Sequence, residues 1–201
     1  MKQLSAIIIL LTVISAASYG KDRAHITYGV EWGYIAFIQH GTHYNFYSPE
    51  GYRVDINNNR IKYRSNAEVS FHTGYNFNTR WNLSIYIGYM GISDLHHAIP
   101  ISIRATRSFC ENRYGDRWFA FADLGSGFSI TSRPQEILCC KLGAGYRISL
   151  STKLKLDLKA DARILYTHPE LSYYNEPIPW DNVNRNNAYL SALSIGIGIT
   201  F

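Results

Sequence analysis

The stretch that decides the fold is "LKLDLKADARILY", residues 154–166, in which every second side chain is apolar. Leu, Ala, Ile and Tyr occupy the even positions, whereas Lys, Asp and Arg occupy the odd positions from 155 to 163. Successive side chains of a strand point to opposite faces, whereas a helix would spread these charges around its circumference. The stretch therefore predicts a β-strand with one apolar face and one charged face.

The same alternation recurs in seven other stretches. Their apolar faces begin, in chain order, at Tyr28, Val69, Leu83, Ile99, Trp118, Leu138 and Tyr189. Phe119 and Phe121 spoil the pattern in one of them. Each stretch is close to the ~10 residues that a tilted strand needs to cross a bilayer. We therefore predict an all-β fold, an eight-stranded antiparallel up-and-down transmembrane β-barrel.

The connections between these strands should differ on the two sides of the membrane, because outer-membrane barrels have long outer loops and short periplasmic turns. Residues 39–66 and 167–187 are predicted to be the long outer loops, where function is expected. The other links are short and lie at 78–79, 93–97, 110–116, 131–135 and 149–152.

The first 20 residues, "MKQLSAIIILLTVISAASYG", have the pattern of a secretory signal peptide. A single Lys near the start is followed by a short apolar run and then by small residues, which is typical of export and cleavage. The run is shorter than the ~20 residues of a membrane-spanning helix. We expect cleavage after Gly20, which leaves residues 21–201 as one barrel domain.

The charge and the cysteines exclude some kinds of function. The formal net charge is +5, and loss of the signal removes Lys2, leaving 19 bases against 15 acids. This diffuse surplus gives no reason to expect a nucleic-acid partner. Cys139 and Cys140 would face opposite sides of a strand, and Cys110 stands alone. The spacing indicates no disulfide framework, zinc site or other cofactor.

Alternation alone does not decide which face meets lipid, since a soluble sandwich or a lipocalin-like barrel also alternates. The polar face here is rich in Gly, Ser and Asn, which suits the narrow interior of an eight-stranded barrel. Tyr and Trp stand at the ends of several apolar faces, as in an aromatic girdle. We therefore predict that the apolar face contacts hydrocarbon and that the charged face is enclosed.

The predicted lumen contains five acids and six bases, of which Lys155 is the sixth base. This near-balance predicts an ion-paired network that fills the lumen, because a lone buried charge costs several kcal/mol. The alternative is a wet lumen in which the charges face water. The predicted network comprises Glu31, Glu68, Arg104, Asp123, Lys141, Arg147, Asp157, Lys159, Asp161 and Arg163.

The chain ends in "SIGIGITF", residues 194–201. Ser194, Gly196, Ile199 and the terminal Phe201 resemble the C-terminal sorting signal of bacterial outer-membrane barrels, which often has Tyr where Ile199 stands. The chain as a whole resembles the small porin-like eight-stranded barrels typified by outer-membrane proteins A and X. The resemblance implies a monomer in the Gram-negative outer membrane, in contact with lipid and lipopolysaccharide, and recognition by the barrel-assembly machinery.

The outer loops, rich in Tyr, His, Pro and Asn, suit the binding of glycans, lipid headgroups or proteins as a surface ligand. We therefore expect an integral outer-membrane protein that presents these loops in a structural, adhesive or host-interaction role, without catalysis. One alternative is a narrow porin-like channel.

A lipid A-modifying enzyme is the other alternative, for which Ser70 and His72 on one strand face are the nearest hint of a catalytic pair. Five histidines are expected near the outer rim, but no HxH or HExxH spacing supports a metal or haem site. They are His40, His43, His96, His97 and His168.

Overall fold

The computed structural model describes residues 25–93, 96–109, 115–130, 136–151, 154–169, 171–174 and 176–201. The predicted signal peptide and Cys110 lie outside these ranges. The strands are β1 (His25–Tyr47), β2 (Arg53–Asn76), β3 (Trp81–Ser93), β4 (His96–Ser108), β5 (Arg117–Ser129), β6 (Glu136–Ser149), β7 (Lys155–Thr167), β8 (Ser172–Tyr173), β9 (Glu176–Pro177) and β10 (Val183–Thr200). A 3₁₀ turn, Trp180–Asn182, precedes β10. No helix in the described part of the chain is long and apolar enough to cross a membrane.

Eight of these strands close into a barrel. Strands β1 to β7 follow one another around the ring as antiparallel neighbours, and β10 pairs with both β7 and β1. The two-residue strands β8 and β9 form a separate hairpin between β7 and β10. The predicted eight-stranded antiparallel up-and-down barrel is therefore confirmed.

The outer wall of the barrel is apolar, as the alternation predicted. The exposed side chains include Val30, Trp32, Ile85, Ile87, Ile101, Ile103, Leu124, Leu142, Ile164, Leu193, Ile195 and Ile197. By contrast, Glu31 and Arg163 are only 4% and 2% exposed, because they alternate with the outward-facing residues of β1 and β7 and so point inward. A closed ring of paired strands with this outer surface meets the requirement that hydrocarbon imposes on backbone polar groups.

The turn between β2 and β3 lies at the end of the barrel where β1 begins and β10 ends, which is the predicted periplasmic end, and it shows why a short link suffices there. The side chain of Asn78 accepts hydrogen bonds from the backbone N–H groups of Arg80 and Trp81, each at 2.8 Å. An Asn side chain that satisfies nearby backbone donors in this way replaces part of a backbone turn. The two strands can therefore reverse direction within residues 77–80.

The prediction of a long outer loop at residues 39–66 is wrong. Strand β1 continues to Tyr47 and β2 starts at Arg53, so the link is a short turn at the end of a long hairpin. The backbone of β1 can stay extended this far because β2 pairs on one side and β10 on the other. A register shift between Phe37 and Gln39 marks the point where β1 leaves the barrel wall.

The second predicted outer loop, residues 167–187, is also partly ordered. Strand β10 begins at Val183, and the hairpin of β8 and β9 occupies the middle of the link. Leu171 and Ile178 on either side of this hairpin are buried against Phe46 of β1. The hairpin therefore covers one face of the β1 extension.

The lumen is not polar along its whole length, which the composition of the polar face did not predict. Its outer half contains a cluster of buried, mostly aliphatic side chains that we call the neck. The neck comprises Ile35, Phe37, Met90, Ile92, Ala98, Ile137, Cys139, Leu165, Leu190 and Ala192. Below it, towards the chain termini, the lumen is filled with charged side chains. Cys139 lies in the neck and Cys140 is exposed, so the adjacent cysteines face opposite sides as predicted.

Candidate functional site

The ten charged side chains predicted for the lumen network lie inside the barrel, and we call them the plug. Strand β7 passes every layer of the lumen in turn, because its alternate residues point inward. From the periplasmic end these residues are Asp157, Lys159, Asp161, Arg163 and then Leu165 of the neck. The ion pairs of the plug divide into three clusters.

The first cluster is centred on Glu31 and Arg104. The Nη1 of Arg104 donates to both carboxylate oxygens of Glu31, at 2.9 and 3.0 Å. Its Nε and Nη2 donate to Oδ2 of Asp123 at 3.1 and 2.9 Å. The ammonium group of Lys159 also donates to Glu31. Two acids and two bases make this cluster neutral.

Aromatic side chains support the first cluster. Tyr86 donates its hydroxyl to Glu31 at 3.1 Å, and its ring lies 3.9 Å from the guanidinium carbon of Arg104. The ring of Phe121 lies 4.5 Å from the same carbon. The sequence reasoning gave Tyr86 no role, although its place between Ser84 and Gly88 on the polar face of β3 was a signal for the lumen.

Phe119 and Phe121, which interrupt the polar face of β5 in the sequence, lie in the lumen on the same face as Asp123. Both rings are enclosed in the lumen, each 4% exposed. In the register with β6 they stand opposite Gly145 and Gly143, where a Cβ atom would collide with the ring. The glycines therefore give the narrow lumen room for two aromatic rings beside the plug, and Phe119 lies near Arg147.

The second cluster joins strands on opposite parts of the ring. Arg163 donates to the two oxygens of Glu68 at 2.6 and 2.8 Å and to Asp161 at 2.9 Å. Lys141 donates to Glu68 at 3.2 Å, and Arg163 also reaches the hydroxyl of Ser194 at 2.8 Å. This cluster, too, contains two acids and two bases.

The third cluster is a single bidentate pair at the periplasmic end. Arg147 donates through Nε and Nη2 to the two oxygens of Asp157, both at 2.6 Å. The hydroxyl of Thr200 lies 3.4 Å from Asp157 and 3.5 Å from Nε2 of His72. All three clusters are therefore electrically neutral, and each is held by charge-assisted hydrogen bonds, which are the strong kind.

The residues considered for the catalytic and metal alternatives make other contacts in the structure. The ring of His72 stacks on Tyr86 at 4.8 Å, and within the described residues no hydrogen bond joins it to Ser70. Among the same residues no group of three or more His, Cys, Asp or Glu side chains could hold a metal ion. His43 instead pairs with Asp55 at 3.2 Å, and the side chain of His96 lies outside the described part.

The four residues of the C-terminal pattern lie on β10 and at its end, where this strand pairs with β1 to close the barrel, and their local environments differ. Phe201 points outward and stacks on Tyr28 at 5.5 Å, while the backbone groups of these two residues exchange hydrogen bonds of 2.8 and 3.3 Å. Ile199 also faces outward. Ser194 accepts from Arg163, and a Cβ atom on Gly196 would lie 2.9 Å from Cε of Lys159. Gly196 therefore leaves the space through which Lys159 reaches the first cluster.

Three strands continue beyond the barrel wall as a sheet that we call the surface extension. It comprises residues 39–47 of β1 at its centre, 53–66 of β2 at one edge and 183–187 of β10 at the other. The pairing of β2 with β3 begins only at Glu68, and β10 pairs with β7 only from Ala188. Within the described residues both edges of the surface extension therefore lack a strand partner.

Polar side chains cross-link the outer face of the surface extension. Asn45 donates to Asp55 at 2.8 Å and accepts from Arg53 at 3.1 Å. His43 lies 3.2 Å from Asp55 and 3.3 Å from Arg185, so the chain of contacts runs from β2 across β1 to β10. These contacts hold the three strands together where no barrel wall supports them.

The opposite face of the surface extension has a small apolar cluster of its own, which we call the tip cluster. It contains the buried Phe46, Leu171 and Ile178 and the partly buried Tyr44, Val54, Tyr173 and Val183. The rings of Phe46 and Tyr173 meet edge to face at 5.7 Å. Tyr44 and Phe46 thus pack inward, whereas Trp180 at the tip is 52% exposed.

Solved structures of outer-membrane barrels resemble this chain at low sequence identity. Neisserial surface protein A superposes with a TM-score of 0.52 and 13% identity, over 90% of this chain and 100% of that chain. OprG of Pseudomonas aeruginosa gives a TM-score of 0.48 and 8% identity, over 87% of this chain and 95% of that one. The N-terminal barrel domain of OprF from the same organism gives 0.42 and 15%, over 85% and 97%.

No protein-family model and no curated protein sequence matches the chain. The resemblance to the Neisserial protein therefore shows the fold and carries no activity across. Together with the closed ring and the apolar outer wall, it shows that the chain has the fold of the eight-stranded outer-membrane β-barrels.

Proposed function

We propose that the barrel anchors the surface extension at the cell surface as an adhesive platform for a surface ligand. The observation that carries this proposal is that the extension is an ordered three-stranded sheet with its own apolar cluster. An ordered platform loses less conformational entropy on binding than a mobile loop does, so more of its contact energy is available for affinity.

The link between β7 and β10, which packs on the surface extension, offers aromatic side chains to solvent. Tyr174 is 81% exposed and Trp180 is 52% exposed, although neither residue lies against the lipid-facing wall. Aromatic side chains with a polar atom bury a large area with few rotatable bonds, which suits contact with glycans and proteins. These two residues are therefore the proposed ligand contacts.

The proposal is tested by adherence of a non-adherent bacterium that expresses the chain to epithelial cell monolayers. The double variant Tyr174→Ser, Trp180→Ser should adhere several-fold less than the wild type. Phe109→Ser is the matched control, because Phe109 is also an exposed aromatic residue but lies at the opposite end of the barrel. The amount of folded barrel is compared by gel mobility before and after boiling. Equal adherence of the double variant and the wild type would reject the adhesive role.

The partners in the membrane are also proposals. The apolar wall is suited to outer-membrane lipid and to the acyl chains of lipopolysaccharide, and we propose that the barrel is a monomer. We further propose that the barrel-assembly machinery recognises the last strand through Ser194, Gly196, Ile199 and Phe201. The outward orientation of Ile199 and Phe201 supports this proposal, because both side chains are accessible from outside the barrel.

The proposed function includes neither catalysis nor conduction. The charged side chains of the plug are engaged with one another, so none of them is available to activate a nucleophile or to line a wet path. An eight-stranded barrel also has an interior that is just wide enough for side chains to fill. Both points favour an anchoring role for the barrel.

A further inference from the structure

A cavity of about 180 Å³ lies at the outer mouth of the barrel, between the neck and the tip cluster. Its floor is apolar and includes Ile92, Ile137 and Leu190 of the neck. A cavity of ~150 Å³ lined by such side chains is large enough for a benzene-sized apolar molecule. The floor therefore has room for a short hydrocarbon group.

The wall of this cavity is basic. Arg64 lines it, and Arg60 and Lys62 precede Arg64 on the same strand, with Arg60 opposite His40 in the register. No carboxylate is among the described residues that line the cavity. By contrast, all the clusters of the plug below are neutral. The mouth is thus a site where positive charge adjoins an apolar floor.

His40 also lines the cavity, above the last outward-facing apolar residue of the β1 wall, Ile38. Burial, and then the positive charges of Arg64 and Lys62, lower the pKa of His40 below its ordinary value. The imidazole is therefore neutral at pH 7, and an anion beside it would raise its pKa, because a nearby opposite charge favours the charged form.

We propose that this cavity binds an amphiphilic anion with a short apolar tail. The tail lies against Ile92, Ile137 and Leu190, and the headgroup lies beside Arg64, with His40 and Lys62 near it. A carboxylate or a phosphate would suit the headgroup position, since an Arg guanidinium binds either in a bidentate manner. Binding of this anion is independent of the adhesive role, so either proposal can fail while the other holds.

The test uses the folded protein in phosphatidylcholine nanodiscs, titrated calorimetrically with straight-chain carboxylates from acetate to decanoate, with empty nanodiscs subtracted. Affinity should rise by about fourfold per methylene, the factor that ~0.8 kcal/mol per buried CH₂ gives, and then level off when the tail fills the cavity. Octanol, which lacks the charge, should bind at least tenfold more weakly than octanoate. Octyl phosphate should bind comparably to octanoate.

Variants separate the cavity from general attraction to the membrane or to charge. Arg64→Gln should weaken octanoate about tenfold, the loss expected for one charge-assisted contact. Arg53→Gln is the matched control, since Arg53 lies on the same strand but contributes to the outer face. Ala188→Leu should abolish binding by filling the cavity, because Ala188 lines it and is buried. If that variant does not fold, Leu190→Ala should move the levelling-off point to longer tails.

The pKa of His40, followed by NMR in the presence and absence of octanoate, gives a second readout, and it should rise on binding. The proposal is overturned if Arg64→Gln and Arg53→Gln lose affinity equally, if acetate binds as well as octanoate, or if the pKa of His40 does not move. It is also overturned if Leu190→Ala leaves the dependence on tail length unchanged.

Discussion

At the scale of single residues, the plug shows how a barrel can enclose ten charges in a narrow space. Each cluster contains equal numbers of acids and bases, so no cluster depends on a distant charge for neutrality. Arg supplies the three bidentate or bridging contacts, and its planar fork suits carboxylates better than the compact ammonium of Lys. The energetic risk of such a design is that removing one member leaves its partner buried and uncompensated.

The pair of Arg147 and Asp157 is the simplest place to measure this risk, because the third cluster has only these two charges, 13% and 4% exposed. Arg147→Met or Asp157→Leu alone should lower the free energy of unfolding by about 3–5 kcal/mol. The double variant should lose clearly less than the sum, since no lone charge remains. Urea unfolding in detergent micelles, followed by gel mobility without boiling, measures the free energies of unfolding of this double-mutant cycle. Arg53→Met serves as the control outside the lumen, and strictly additive losses would contradict the coupling.

At the scale of elements, β1 shows what the sequence could predict and where it could not. From Tyr28 to Tyr34 the alternation assigns each side chain to the wall or the lumen, and the structure agrees. After the register shift at Phe37 the phase changes, and the residues become Gly, His, Asn and Tyr, which are typical of loops. Strand structure persists there because β2 and β10 pair with both edges, which is long-range information that local composition does not contain.

For the plug, too, the sequence predicts some features and not others. The parity of each strand predicts which charged side chains face the lumen. The partners could not be predicted, because Glu68 and Arg163 are 95 positions apart and meet only when the ring closes in its particular register. The part that Tyr86 and the two phenylalanines of β5 play in the plug could not be predicted for a related reason. Their contacts with Arg104 and Arg147 need the depth of each strand, whereas alternation gives only its face.

The surface extension should behave as an element that can loosen separately from the barrel, because its apolar contacts are those of the tip cluster. Phe46 is buried there and only 2% exposed, and Phe→Ala changes of this kind cost about 3–5 kcal/mol. Phe46→Ala should therefore make the tryptic sites at Arg53 and Arg60 rapidly cleavable, while the barrel keeps its unboiled gel mobility.

Limited proteolysis of the folded protein, with mass analysis of the fragments, checks this prediction. Phe128→Ala is the matched control, since Phe128 is lipid-facing and 55% exposed and its loss should not affect the extension. If Phe46→Ala and the wild type are cleaved at the same rate, the tip cluster does not order the extension.

At the scale of the whole molecule, the lumen has two successive barriers. The plug fills the periplasmic half with neutral clusters of paired charges, and the neck fills the outer half with aliphatic side chains. The two layers touch where Arg163 approaches the sulfur of Met90 at 4.0 Å. Water or ions that entered from the mouth cavity would have to pass the neck first, and apolar constrictions close to ions by dewetting.

We therefore expect the protein to give no steady conductance in planar bilayers, even at high salt. Salt screens exposed charges within ~3 Å at 1 M, but buried pairs are screened much less, so high salt should not open the plug. Single-channel recording of the folded protein measures this, with an established large porin as the positive control and the unboiled gel mobility as proof of folding. Steady, ohmic steps that scale with the amount of folded protein would contradict the two-barrier lumen. Such steps would favour a narrow channel over an anchoring role as the function of this barrel.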